Sequence, residues 1–454
     1  MTQRKFFGTD GIRGRANVYP MTGEVAFSLG RAVTAFFQKR SKSIKPLIII
    51  GKDTRLSCYM LEQAFSAGVC SQGGRAILTG PLPTPGVAFV TQSMRADAGV
   101  MISASHNAFH DNGIKIFDRT GHKLPDSVEL ELEKMLLDNE LIPKKLDADL
   151  GNAKRLDEVV GRYIVKVKQA LSDEYNLEGL RLVVDGANGA GYKVAPLAFE
   201  ELGAEVIAMG NQPNGQNIND KVGALYPKTC AQKVVKYRAD LGICLDGDGD
   251  RLAVIDSKGK LVDGDKLLGI LAKFMFETGQ LGKSQEVVGT VMSNFGLEKY
   301  VRDMGANFYR SKVGDRYIVE RMLANNSVFG GEPSGHIIFK EFSTTGDGIL
   351  AALKVIECLK YFNKSLDELC DEVILTPQVL INVAVKEKKD FDSMPEFSKL
   401  VKDVEEKLNG KGRVLLRYSG TENLARVMLE GEDEAFIQKS CEELAEHLRK
   451  EIGV

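Results

Sequence analysis

ADLGICLDGDGDRLAVID, Ala239–Asp256, is two short apolar strands around a loop that alternates aspartate with glycine. The unit of strand, glycine-bearing polar loop and following helix recurs along the chain. LIII (Leu47–Ile50) runs into GKDTR and a helical stretch at Tyr59–Cys70. AGVMIS runs into SHNAFHDNG. LRLVVDGANGAGY runs into a helical stretch at Val194–Leu202, and VVGTVMSN into another at Gly296–Met304. This alternation predicts α/β units with mixed, partly parallel sheets and helices on the sheet faces. In such units ligands bind at the loops on the carboxyl ends of the strands.

The acidic loop is chemically the most pointed of these. Asp246, Asp248 and Asp250 fall at every second residue. In extended backbone alternate side chains share a face, so three negative charges crowd together. A cation relieves that repulsion, and hard oxygen ligands suit Mg²⁺. The loop is not an EF-hand. Its sixth position is Arg251 and its twelfth Ser257, where that motif needs Gly and Glu.

GVMISASHNAFHDNGIKIF, Gly99–Phe117, begins as a strand and then crowds Ser103, Ser105, His106, Asn107, His110, Asp111 and Asn112 into one turn, with Lys115 just beyond. Taken alone it reads as a polar loop satisfied by its own hydrogen bonds. A Ser-His-Asp triad has little support, because the GxSxG elbow is missing and adjacent Ser and His do not make triad geometry. A phosphate on Ser105 would complete the magnesium site, since phosphoserine brings three acceptor oxygens and about two negative charges. Gly282-Lys283-Ser284 lacks the first glycine of a P-loop, and GANGAG (Gly186–Gly191) has the wrong spacing for a dinucleotide fold.

Composition sets the outer limits. A chain of 454 residues is too long for one core and implies about three or four domains. Polar Leu141–Lys154 and the charge run Lys386–Asp392 mark breaks, and the segment from about Thr376, with helical periodicity at Glu434–Glu451, reads as a small α+β domain. The net charge of −2 gives no overall basic footprint for nucleic acid, so an anionic substrate must meet local basic groups. Seven scattered cysteines with no CxxC pair argue against a disulfide framework or zinc site and fit a reducing cytoplasm. The N-terminus has no apolar signal segment, and no run of about 18 apolar residues exists, so no membrane partner is expected.

Four separated motifs together resemble the α-D-phosphohexomutases. They are the serine loop SASHN (Ser103–Asn107), the metal loop DGDGDR (Asp246–Arg251), the sugar loop GEPSGH (Gly331–His336) and the phosphate loop RYSGTEN (Arg417–Asn423). They stand in the family's order and span essentially the whole chain. GTDGIRG (Gly8–Gly14), SASH, KVGDRY (Lys312–Tyr317) and TTGDG (Thr344–Gly348) are most similar to the amino-sugar branch. Departures are Ala108 after SHN, Pro333 after the sugar-loop glutamate and Asn423 after the phosphate-loop glutamate. None removes a reactive group, and Pro333 sits beside the residues that choose the hexose.

The resemblance implies four domains: three related α/β domains at 1–153, 154–255 and 256–375, and an α+β domain at 376–454. It implies that Ser105 carries the phosphate and joins Asp246, Asp248 and Asp250 around one Mg²⁺. Arg13, His106, Lys115 and Arg251 would serve the reacting centre. Glu332, Ser334 and His336 would hold the sugar, and Arg417, Ser419, Gly420, Thr421 and Arg426 its non-reacting phosphate. The expected partner is a small phosphosugar, glucosamine phosphate first and glucose or mannose phosphates as the alternative. Glucosamine 1,6-bisphosphate or a similar hexose bisphosphate would be primer and intermediate. A homodimer is also implied.

Overall fold

The computed structural model describes residues 5–8, 10–41, 43–138, 141–419 and 423–454. The first sheet contains β1 (Phe7–Gly8), β2 (Gly11–Arg15), β3 (Leu47–Lys52), β4 (Arg75–Pro81), β5 (Ala98–Ile102), β6 (Asp111–Asp118) and β7 (Asn152–Arg155), in the order β1-β2-β6-β5-β3-β4-β7. β3, β4, β5 and β7 are parallel; β6, β2 and β1 add antiparallel strands at one edge. β7 carries this sheet to Arg155, across the expected boundary at 153.

Isoleucine alternation in β3 shows why the sheet is covered on both faces. Ile48 and Ile50 pack with Leu29, Leu61 and Phe65 on one side, while Ile49 packs with Val87 and Met101 on the other. Successive strand side chains point to opposite faces, so a run of aliphatic residues demands helices on each. The helices Gly23–Ser41 and Leu56–Ser71 cover one face and Thr84–Ser93 the other.

The second sheet holds β8 (Arg181–Asp185), β9 (Glu205–Met209), β10 (Leu241–Leu245) and β11 (Leu252–Ile255), in the order β11-β10-β8-β9. The third holds β12 (Glu286–Thr290), β13 (Asn307–Ser311), β14 (Phe329–Gly331) and β15 (Ile337–Phe339), in the order β13-β12-β14-β15. Numbered within each domain, both read 2-1-3-4, with three parallel strands and an antiparallel fourth. β4-β3-β5-β6 of the first sheet repeats that pattern. These are the three related α/β domains the sequence implied.

The last sheet is antiparallel, with β16 (Gln378–Ala384), β17 (Gly412–Tyr418) and β18 (Leu424–Gly431) in the order β16-β18-β17. Helices Pro395–Leu408 and Glu434–Ile452 complete this α+β unit. It has its own core, around Phe397, Val427 and Leu444. By contrast, one continuous core runs from Val87 through Phe199 and Leu245 to Phe274 and Ile349, across the first three domains.

Candidate active site

The serine loop joins β5 to β6, the metal loop joins β10 to β11, and the sugar loop joins β14 to β15. Each is the hairpin between the third and fourth strands of its domain. Packing of the three repeated domains therefore brings three equivalent loops together.

Ser105 Oγ donates to Asp246 Oδ2 at 2.5 Å. The two residues are 141 apart in sequence, and both are buried. Ligand atoms of Asp246, Asp248 and Asp250 lie within 4.8 Å of one another. Asp248 Oδ1 and Asp250 Oδ1 are buried without a hydrogen-bond partner among the described residues. Leaving such oxygens unpaired costs about 1–3 kcal/mol each, and an oxygen-seeking cation removes that cost. All donors are oxygens, the set Mg²⁺ prefers, so the residues fit the ion implied by the sequence.

Protein cations offset part of the charge. Lys115 Nζ, reaching in from β6, lies 2.9 Å from Asp248 Oδ2, 3.4 Å from Asp250 Oδ2 and 3.0 Å from Asp10 Oδ2. Burial would lower the lysine's pKa, but these three carboxylates carry it well above the ordinary value. Asp246 has no such lysine. Burial, then repulsion from Asp250 and Asp248, pushes it well up. Asp250 goes the other way: burial opposes its charge, yet Lys115 and His336 hold it well below the usual range. Thr84, opening the helix Thr84–Ser93, donates to Asp248 Oδ2 at 2.6 Å.

Arg13 and Arg251 stand beside the acidic cage. Both act on His106, whose pKa falls to about 4 through burial first and then these two cations. His106 is therefore neutral near pH 7, with Nδ1 3.3 Å from Ser105 Oγ. Arg13 pairs with Asp10 at 2.5 Å, and among the described residues the Nε atoms of Arg13 and Arg251 have no partner.

In the sugar loop, Glu332 accepts the Gly314 N–H at 3.0 Å and Ser334 is exposed. The loop is tied to the metal loop's exit by the Leu252 N–H on the Gly335 carbonyl, 3.0 Å. His336 is buried behind the acidic loop. Its Nε2 lies 3.0 Å from the Gly346 nitrogen and 3.4 Å from Asp315 Oδ2, and its Nδ1 lies 3.8 Å from Asp250 Oδ1. Both nitrogens thus face carboxylates. Burial opposes the ring's charge, but Asp250 first and then Asp315 raise its pKa above the ordinary value.

Arg417 and Arg426 sit directly opposite each other on β17 and β18. Like charges in that register repel. Burial and then Arg426 lower the Arg417 pKa, with Glu332 acting in the opposite sense. Among the described residues neither Nε atom has a hydrogen-bond partner, which leaves both available to an anion. Ser419 is buried beside them, its carbonyl held by Lys388 at 2.7 Å. Gly420 and Thr421, expected in this cradle, lie outside the described residues.

Family models match four consecutive segments: Phosphoglucomutase/phosphomannomutase alpha/beta/alpha domain I at 4–142, domain II at 161–259, domain III at 263–376 and the C-terminal domain at 380–447. The chain belongs to this family, the α-D-phosphohexomutases. Among its relatives, the phosphoglucosamine mutase of Pelobacter propionicus is 52% identical over 451 residues, covering 99% of each chain. A phosphoglucomutase/phosphomannomutase family protein from Burkholderia thailandensis shares the fold with a TM-score of 0.81 at 20% identity, covering 98% of this chain and 99% of its own. The N-acetylphosphoglucosamine mutase of Aspergillus fumigatus, solved with GlcNAc-6P and magnesium, aligns with a TM-score of 0.69 at 19% identity, covering 99% and 96%.

Sequence reasoning missed several groups around this phosphohexomutase centre. Asp10 lies inside the quoted GTDGIRG motif, where its acidity was the available signal. Thr84, Lys123, Arg55 and Asn219 carried no local signal. Lys123 binds Asp10 and, at 2.7 Å, Asp315, joining the first and third domains.

Proposed function

We propose that this chain is a phosphoglucosamine mutase, interconverting glucosamine 6-phosphate and glucosamine 1-phosphate. The carrying observation is the Ser105 hydroxyl against Asp246, inside a buried acidic cage flanked by Arg13 and Arg251. The full-length phosphoglucosamine mutase relative supports the choice of sugar.

In this reading Ser105 carries a phosphoryl group in the resting enzyme. The sugar 6-phosphate binds with O1 facing it. The P–Oγ bond breaks as the P–O1 bond forms; O1 loses its proton and Oγ gains one. Glucosamine 1,6-bisphosphate then turns over, and its 6-phosphoryl returns to Ser105 by the reverse step. Such transfers depend on positioning and charge neutralisation. Asp246, Asp248, Asp250 and Ser105 would hold one Mg²⁺, which when bound neutralises phosphoryl oxygens and eases departure of the serine oxygen. Arg13 and Arg251 stabilise the transferring charge. Lys115 keeps its proton at neutral pH, so it serves first as a proton donor. Glu332 and Ser334 orient the ring, while Arg417, Ser419 and Arg426, with Gly420 and Thr421, grip the phosphate at the other end.

The reading extends to a cytoplasmic homodimer supplying the UDP-N-acetylglucosamine route to cell wall. Seven free cysteines fit the reducing compartment this reading requires.

Intact mass and coupled assays test the proposal. Wild type should weigh about 80 Da more than expected from its sequence, and Ser105→Ala should lack that increment and turnover. With a bisphosphate primer, glucosamine 6-phosphate should be the best substrate. Absence of phosphate and turnover in wild type, or equal turnover of mannose 6-phosphate, would overturn it.

A further inference from the structure

Ser105 has φ +51°, in the left-handed region where a non-glycine residue is strained. Such a conformation persists only if its surroundings hold it. Here the restraint is a pair of side chains from different domains that grip the same two carbonyls. Arg55 Nη2 donates to Ser105 O at 3.1 Å and to Asn107 O at 2.6 Å. Asn219 Nδ2 donates to the same two oxygens, at 2.9 and 3.0 Å.

We propose that Arg55 and Asn219 form a two-domain clamp that positions Ser105 for phosphoryl transfer. The inference rests on Ser105 as the phosphoryl carrier, and extends that reading to groups touching neither substrate nor metal.

Each half of the clamp is itself held. Arg55 is fully buried and paired with Asp53. Asp53 Oδ2 accepts Ser103 Oγ at 2.6 Å, and Ser103 Oγ accepts the Ser105 N–H at 2.9 Å. Ser105 is thus fixed through its N–H and its carbonyl by one connected network. On the other side, Thr54 Oγ1 donates to the Asn188 carbonyl, the Leu56 N–H donates to the Gly215 carbonyl at 2.9 Å, and the Asn219 N–H donates to the Ala187 carbonyl at 2.9 Å. The segment carrying Arg55 is therefore docked onto the domain carrying Asn219. Gly247 of the metal loop completes the clamp, because a Cβ there would drive into the Ser105 carbonyl oxygen.

The fork geometry explains the residue types. A guanidinium presents several fixed donors and can serve Asp53 and both carbonyls at once. A lysine keeps the charge but not the fork. An asparagine amide supplies a neutral donor to the shared carbonyls without adding a further charge near the metal cage.

The test uses full-length Arg55→Lys, Asn219→Ala and the double variant, with rates normalised to the phosphorylated fraction measured by intact mass. Each single variant should lose about ten- to a hundredfold in kcat, as expected for slight misplacement of a reacting group, while KM stays within about twofold. Magnesium affinity, read calorimetrically, should stay near wild type. Because both donors act on one loop, the double variant should lose less than the product of the single losses. Wild-type kcat per phosphorylated site, even with a lowered Tm, would show a structural role and overturn the proposal. So would a loss confined to KM. If wild type itself carries no phosphate, the failure belongs to the phosphoserine reading instead. Should Arg55→Lys not fold, Asn219→Ala alone carries the same kcat-against-KM test.

Discussion

Lys115 contributes a charge to the metal cage that works against the metal. Its ammonium stands among Asp10, Asp248 and Asp250 and neutralises part of the attraction a divalent cation would feel. Lys115→Met should therefore bind Mg²⁺ more tightly than wild type, by about tenfold or more, while turnover collapses. Removing one member of a buried ion pair costs about 3–5 kcal/mol, so the metal-free variant should also melt earlier, with Mg²⁺ restoring more of its Tm than in wild type. Calorimetry above neutral pH, with the carboxylates ionised, checks both signs. Weaker magnesium binding would mean that Lys115 builds the cage rather than balances it. His106 makes the opposite case. With its pKa near 4, it stays neutral from pH 6 to 8, and the rate profile should show no inflection there that His106→Gln removes.

The same contrast governs what could be read beforehand. Ser105 and the three aspartates were legible because their chemistry is local, in one loop of alternating acids and one crowded polar turn. Arg55 and Asn219 were not, because they stand 50 and 114 residues from Ser105 in sequence and only tertiary packing gives them a shared target. His336 was legible as a candidate, but its approach to Asp250 and Asp315 was not, since only packing brings those carboxylates to one ring.

At the scale of elements, the repeated strand–loop–helix unit was legible, and its use was not. The serine, metal and sugar loops turned out to be the same hairpin in three domains, since equal strand order is a property of pairing and not of composition. The join to the fourth domain is also an element-scale device. Asn294, capping the helix Phe295–Asp303, accepts the Thr376 N–H at 2.8 Å and donates to the Thr376 carbonyl at 3.0 Å. Asp265 accepts the Asn294 N–H at 2.9 Å. Burial pushes the Asp265 carboxyl up to about 7. An acid whose pKa is raised by folding binds more protons folded than unfolded, so its contribution to stability is present below about pH 4 and is lost as pH climbs to about 7. Asp265→Asn should remove that fall, gaining up to a few kcal/mol on wild type between those limits and no more above them. Urea midpoints at pH 5 and 8 measure it; a difference between the two proteins that does not change with pH would place the proton elsewhere.

At the scale of the molecule, the cores separate what stays rigid from what moves. The first three domains share one apolar core, so the serine and the acidic cage are fixed relative to each other. The fourth has a separate core and meets the third through polar contacts. Glu430 accepts the Phe295 N–H at 3.1 Å and pairs with Arg413, which donates to the Ser293 carbonyl at 2.8 Å. Polar interfaces of this kind permit rotation, whereas a continuous apolar core does not. The proposed phosphate cradle rides on the fourth domain, with Arg417 near enough to Glu332 to feel its charge. An anion neutralising Arg417 and Arg426 should therefore draw the fourth domain inward. Small-angle scattering should show a smaller radius of gyration on adding glucose 1,6-bisphosphate. Arg417→Ala should abolish the contraction while leaving the Ser105 phosphate and magnesium binding intact, because those groups lie wholly in the rigid part. A contraction that survives Arg417→Ala would move the driving contact to the sugar loop, and no contraction in wild type would mean that the cradle is already closed.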